Sequence, residues 1–136
     1  MENYALEKDI TVFCVTADFS PDAILKAHQK LHAMIPYTSE RRYFGLSRPN
    51  EHGIVTYEAA AEELIAGEGK KLGLETIVLK KGNYTSTIIK GYKKNVSEIG
   101  LVFSKLLQNK YIDPEGYCVE WYLNDDDVQC MVRLTK

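Results

Sequence analysis

Residues 117–125, Tyr-Cys-Val-Glu-Trp-Tyr-Leu-Asn-Asp, carry most of the information in this chain. Tyr117 to Leu123 is dense in β-formers, and Asn124-Asp125-Asp126-Asp127 has the composition of a turn. Side chains alternate across a strand, so Cys118, Glu120 and Tyr122 share one face and Val119, Trp121 and Leu123 the other. Glu120 is therefore a carboxylate in mid-strand beside an aromatic ring. Burying it requires a cation partner, a raised pKa or a wet cavity. The alternative is a solvated glutamate on an open sheet face. After the turn, Val128 to Leu134 is again strand-like, and the two runs predict a hairpin.

Working outward, the same grammar repeats. Ile10 to Ala17 is a β-rich run, and Ser20-Pro21-Asp22 is a helix start: an N-cap, a proline in the first turn and an early acid. Ile24, Ala27, His28, Leu31, Met34 and Ile35 follow at helical spacing, until Pro36 ends the helix. Two strands are expected at Arg41–Ser47 and Ile54–Ala60, joined by the turn Arg48-Pro49-Asn50-Glu51-His52-Gly53. A glycine-rich connector, Gly67 to Gly73, leads to Glu75–Lys80 and Tyr84–Lys90, both strand-like. A second helix is expected over about Lys93–Asn109, with Val96, Ile99, Val102, Phe103, Leu106 and Leu107 as its apolar stripe. The fold expected is α+β: a tandem strand-helix-strand-strand repeat in one domain over 1–136, with pseudo-repeats about 9–66 and 74–136. The two helices would cover one face of a largely antiparallel sheet, and a ligand cleft would occupy the face away from them. Val119, Trp121 and Leu123 would then pack on the helices, and Glu120 and Tyr122 would line the cleft.

Composition bounds the function. The chain has 136 residues, is 45% hydrophobic and 26% charged, and carries a formal net charge of -2. That is enough for one proper core, and it offers no basic footprint for nucleic acid. Only about nine residues precede the first expected strand, which leaves no room for a helix-turn-helix, so direct DNA binding is not expected. The three cysteines, Cys14, Cys118 and Cys130, all lie in apolar runs without metal-ligand spacing and read as free thiols in a reducing compartment. The first residues lack the basic and apolar regions of a signal peptide, and no apolar run has the length of a membrane span; a cytoplasmic location is the expectation.

No motif for a phosphate loop, a nucleophile elbow or a dinucleotide is present, so no cofactor is expected. His28 and His32 have half the spacing of a zinc helix, but Gln29 stands where a catalytic glutamate belongs, so no metal site is expected and these histidines read as helix-surface or helix-edge residues. Asp125 to Asp127 lacks calcium-loop spacing and reads as a hairpin tip.

The segment Leu79-Lys80-Lys81-Gly82-Asn83-Tyr84-Thr85-Ser86-Thr87-Ile88-Ile89-Lys90-Gly91 resembles the "lpaGkYavfxhkG" segment of the GyrI-like domain, the small-molecule-binding module of many bacterial multidrug-responsive transcription regulators. The helix that follows, the turn Lys110 to Gly116, and Val119-Glu120-Trp121-Tyr122-Leu123-Asn124-Asp125 match its helix, its "gyxxdg" and its "iExYlnd", in order over residues 72 to 135. Tyr43-Phe44-Gly45-Leu46-Ser47-Arg48-Pro49 with Tyr57-Glu58-Ala59-Ala60 is a looser match to "yGlxxxdP…yxaav". The resemblance implies a cleft for hydrophobic, often cationic and aromatic compounds, with Glu120 facing it and Tyr122 and Tyr57 beside it. Tyr43 is a further candidate, with Phe44 on the alternate face as its competitor. Trp121 is core by alternation and a cleft residue if the strand is bulged or reversed.

Three functions stand open: a stand-alone binder of such compounds, a hydrolase of cyclopropane-type electrophiles with Glu120 as general base, or a modulator of a protein partner such as DNA gyrase.

Overall fold

The computed structural model describes residues 1–136. The strands are β1 (Glu2–Leu6), β2 (Ile10–Asp18), β3 (Tyr43–Pro49), β4 (Val55–Glu62), β5 (Glu75–Leu79), β6 (Gly82–Ile89), β7 (Cys118–Tyr122) and β8 (Val128–Arg133). The helices are α1 (Pro21–Met34), the single turn α2 (Glu68–Lys71) and α3 (Ser97–Leu106). Two elements were not expected. β1 lies within the nine residues that precede the first expected strand, and α2 sits in the glycine-rich connector. The second helix is also shorter than its stripe suggested: Tyr92–Lys94 is a separate 3-10 turn, and Asn95 is extended before α3 starts.

All eight strands form one antiparallel sheet in the order β1-β6-β8-β7-β3-β4-β2-β5. The order is a palindrome of the two halves. Each half contributes four strands, an edge strand from each half flanks the sheet, and the halves meet where β3 pairs with β7, Gly45 opposite Glu120 and Leu46 opposite Val119. The α+β class and the antiparallel sheet with two long helices on one face are as expected.

The local chemistry accounts for α1. Ser20 is extended, its Oγ accepts from the Ala23 N–H, and Pro21 opens the helix. Its apolar face puts Ala27 and Leu31 against Phe13, Val15, Ala59 and Ala61 of β2 and β4. The chain leaves the helix at Ile35, just before Pro36. α3 packs Phe103 and Leu106 on Val128, Cys130 and Val132, over β6 and β8. Each helix therefore covers the outer strands of its own half. Of the central strands β3 and β7, only the start of β3, at Tyr43, joins the core under α1.

The opposite sheet face has a core of its own. Phe44, Leu46, Val119 and Met131 from the central strands pack with Leu6 and Tyr84 from one end of the sheet and Ile10 and Leu79 from the other. Side chains from both ends can join one cluster only if the sheet curls, and the curl lets it bury this face on itself. This reverses the expected assignment of faces. Val119 and Trp121 lie on the helix-free face, Leu123 is exposed beyond the strand end, and Glu120 and Tyr122 lie on the face that carries α1 and α3. The cleft is accordingly between the helices, not on the far side of the sheet. Alternation sorted the residues correctly into two sets. It carries no information on which set meets the helices once both faces are buried.

Candidate functional site

The uncovered strip over β3 and β7 is the floor of a cleft of about 1040 Å³. α1 forms one wall, with Ile24 and His28; the 3-10 turn and α3 form the other, with Tyr92, Ile99 and Phe103. Phe19, Leu25, Tyr37, Val96 and Leu107 are large apolar side chains exposed to solvent, and all five border this cleft. Exposed apolar surface gathered in a concavity marks a binding surface, whereas isolated exposed residues need no explanation.

The floor is polar at one place. Gly45 of β3 points into the cleft without a side chain, and two tyrosines from flanking strands fill that space. A Cβ built on Gly45 would lie 1.9 Å from Tyr57 Oη and 2.8 Å from Tyr122 Oη. The two hydroxyls meet there at 2.8 Å. Tyr122 also donates to Glu120 Oε1 at 2.8 Å, and Tyr57 Oη lies 2.7 Å from His28 Nε2 on α1. A continuous hydrogen-bonded chain thus runs His28–Tyr57–Tyr122–Glu120 across three elements. The rings support it edge-on: His28 is 5.6 Å from Tyr57 and 5.4 Å from Tyr122, centroid to centroid.

The electrostatics follow from burial. None of the five ion pairs of the protein includes Glu120. Loss of solvent pushes its pKa up, and the Tyr122 hydrogen bond opposes that only in part. Burial also raises Tyr57 and Tyr122, reinforced in both by the Glu120 charge. Burial, and after it the neighbouring His32, holds His28 down at about 4, so its ring is neutral near pH 7. The site is a lone carboxylate in an aromatic cleft, tied to neutral hydrogen-bonding groups and supplied with no cation by the protein.

The structure brings Glu120, Tyr122, Tyr57 and Tyr43 to one cleft. Tyr43 sits apart from the hydroxyl chain, where its ring stacks on Tyr37 at 5.2 Å and its hydroxyl accepts from the Thr38 N–H. Phe44, its competitor, is in the opposite core. Trp121 is not in the cleft. It packs edge-on to Tyr4 at 5.9 Å and against Phe44, under the Arg42 guanidinium. β7 pairs without a bulge, so Trp121 keeps the face that alternation assigns. His28, a helix-surface or helix-edge residue by its sequence pattern, instead joins the site through its hydrogen bond to Tyr57. Its one sequence signal was the spacing to His32, which puts both rings on the α1 flank that faces the cleft. Glu58 is outside the cleft, accepting from Thr16 Oγ1 at 2.8 Å.

A smaller hollow of about 360 Å³ lies by Tyr84, Asp113, Tyr117 and Arg133. There Arg133 donates to Asp113 at 2.9 Å, and Arg48 to the Glu115 carbonyl at 2.8 Å. No group of three or more His, Cys, Asp or Glu side chains converges as a metal site would require, and no helix is long and apolar enough to cross a membrane.

No family model and no curated protein matches the chain in sequence. Solved structures do match in fold. An integron cassette protein from the mobile metagenome of Vibrio cholerae aligns with TM-score 0.71 at 12% identity, over 98% of this chain and 94% of that one. A protein solved bound to tetraphenylphosphonium aligns with TM-score 0.69 at 13% identity, over 97% and 93%. A Staphylococcus aureus MU50 protein proposed to act in bacterial transcription regulation aligns with TM-score 0.57 at 12% identity, over 97% of each chain. At such identities the likeness establishes the fold alone.

Proposed function

We propose that this protein is a binder of hydrophobic, aromatic cations, of the GyrI-like kind that its motifs resemble. The observation that carries this is Glu120: a carboxylate without a counter-charge on the floor of an apolar, aromatic cleft. Such a group is costly to ionise when alone and becomes favourable when a cation of low hydration arrives. A delocalised or quaternary cation meets that need, because it loses little hydration energy and gains ring faces as well as the charge. Tyr122 and Tyr92 offer those faces on the floor and wall. Tyr37, stacked on Tyr43, offers another towards the mouth. The likeness in fold to a protein that holds tetraphenylphosphonium supports the choice of ligand class.

The test is calorimetric titration of tetraphenylphosphonium into the wild type and Glu120→Gln. Glutamine keeps the shape and the Tyr122 hydrogen bond and removes the charge. Affinity should fall by roughly 2–5 kcal/mol, the usual cost of removing one partner of a desolvated charge pair. A neutral aromatic of similar size should bind both proteins alike. Equal affinity of the two proteins for the cation would refute the role given to Glu120.

One observation favours a second reading. A carboxylate with a raised pKa, hydrogen-bonded to a tyrosine, has the makings of a general base with an acid beside it. On that reading the protein hydrolyses cyclopropane-type electrophiles, and a gain of water by mass spectrometry, abolished in Glu120→Gln, distinguishes it from simple binding.

A further inference from the structure

The chain His28–Tyr57–Tyr122–Glu120 has a direction, and the charge on Glu120 sets it. When Glu120 is ionised it can only accept, so Tyr122 donates to it. The single Tyr122 proton is then spent, and Tyr57 must donate to Tyr122. The Tyr57 proton is spent in turn, and His28 must donate through Nε2–H. When Glu120 is protonated it gains an O–H to donate, and every bond can reverse: Glu120 then donates to Tyr122, Tyr122 to Tyr57, and Tyr57 to a bare Nε2, which leaves the hydrogen of a neutral His28 on Nδ1. Ionisation of the carboxyl group thus fixes the tautomer of a ring on another element, three hydrogen bonds away. The far end of the chain is open: Arg41 Nε is the one side-chain nitrogen or oxygen both buried and without a partner, so His28 Nδ1 is not sealed from water.

We propose that uptake of a cation drives a proton out of the cleft along this chain, with His28 as its exit and its tautomer as the record that the site is filled. This rests on Glu120 being the cation's partner. The Glu120 O–H bond breaks and its proton passes to Tyr122 Oη. The Tyr122 proton passes to Tyr57 Oη, the Tyr57 proton to His28 Nε2, and the Nδ1 proton leaves to water. One proton is released, one carboxylate charge appears opposite the ligand, and nothing is oxidised or reduced. His28 is in this sense a positioning residue of the cation site, and the route lets the carboxyl ionise beneath a ligand that blocks it from solvent.

The neighbours permit this assignment. α1 brings His28 and His32 to the cleft, β3 brings Arg48, β4 Tyr57 and the 3-10 turn Tyr92 and Lys93. β7 brings Cys118 and Tyr122, β8 Cys130, and the hairpin tip Asp125. Of the two cations, Arg48 is committed to the Glu115 carbonyl and the Tyr117 ring, and Lys93 forms no ion pair. Burial, with Glu120 as the second cause, holds Cys118 at about 11, so this thiol does not titrate with the carboxyl. His28, held at about 4, stays neutral above pH 5, so a change in its nitrogen signals there is a change of tautomer and not of charge.

The experiment is ¹⁵N NMR of the imidazole nitrogens of the full chain, with tetraphenylphosphonium as the probe. At a pH below the Glu120 transition, the ligand-free protein should show the Nδ1–H tautomer and the saturated protein Nε2–H. The same switch should appear without ligand as pH is raised through that transition. Affinity should rise about tenfold per pH unit below the transition and level off above it, as linkage to one released proton requires. In Tyr57→Phe, which keeps the ring and breaks the chain, His28 should hold one tautomer at a tetraphenylphosphonium concentration that calorimetry shows to saturate the site. Binding with an unmoved His28 in the wild type overturns this proposal alone. A switch that survives Tyr57→Phe also overturns it. Absence of binding overturns the cation site and this proposal with it.

Discussion

The hydroxyl chain depends on an absence, the missing side chain of Gly45, and Gly45→Ala tests it through the sign of its effect. The backbone there does not require glycine, since Gly45 is not among the five positive-φ glycines of the chain. A strand glycine replaced by alanine with no clash should stabilise the protein by about 0.5–1 kcal/mol through unfolded-state entropy. At Gly45 the new methyl group would lie 1.9 Å from Tyr57 Oη, 2.7 Å from Tyr57 Cζ and 2.8 Å from Tyr122 Oη. Tyr57 is 1% exposed and has nowhere to retreat, whereas Tyr122 opens onto the cleft and can swing. Overpacking of a filled core costs about 1–3 kcal/mol, and loss of the Tyr57–Tyr122 bond adds about 1. The backbone gain offsets part of this, leaving a net destabilisation of about 1–3 kcal/mol by urea unfolding, together with weaker cation binding. Gly100→Ala in α3 is the control. A Cβ there meets nothing within 4 Å, so it should stabilise by up to about 1 kcal/mol through helix propensity. Because the clash is mainly with a hydroxyl, Gly45→Ala should cost less in a Tyr57→Phe background than alone. A neutral or stabilising Gly45→Ala, with affinity intact, would refute the crossing of the two tyrosines over this residue.

Other outcomes follow from the same contacts. Glu120→Gln should stabilise the ligand-free protein: a carboxyl with a raised folded pKa loses stability as pH rises through the window above its ordinary value, so the advantage of the glutamine, read from urea midpoints, should be larger at pH 8 than at pH 5. Arg41 pairs with Glu68 through two hydrogen bonds of 2.8 Å, which hold the Glu68 carboxyl down at about 2 from an ordinary 4.5. That contribution should be complete above pH 4.5 and fade as pH falls towards 2, and Glu68→Gln should flatten the acid limb of stability against pH. Leu106, fully buried where α3 meets β8, should cost about 2–5 kcal/mol on truncation to alanine, seen as a shift of the whole unfolding transition.

Much of the fold was legible because its signals are local. Ser20-Pro21-Asp22 starts a helix by satisfying amide groups within one turn, and Pro36 stops it through its own ring. Alternation along Tyr117–Leu123 placed Glu120 with Tyr122 and Val119 with Trp121, because the pleat allows nothing else. β1 escaped notice because Glu2–Leu6 is an edge strand with one neighbour, and only its Leu6 is fully buried, so it needs little apolar pattern. His28 escaped notice as a site residue because its partner, Tyr57, lies 29 residues away on another element.

The amino-acid sequence by itself determined α1, most of the strands, their order and the two sets of side chains on each strand, since these follow from backbone sterics and period. Only the tertiary structure decided which set met the helices. The sheet curls and buries its helix-free face on itself, so apolar content does not distinguish the two faces. It also decided that β3 and β7, the seam between the halves, would lie largely bare between α1 and α3. That placement leaves Gly45 open to two tyrosines and Glu120 without a counter-charge, a juxtaposition of residues from both halves that no local pattern encodes.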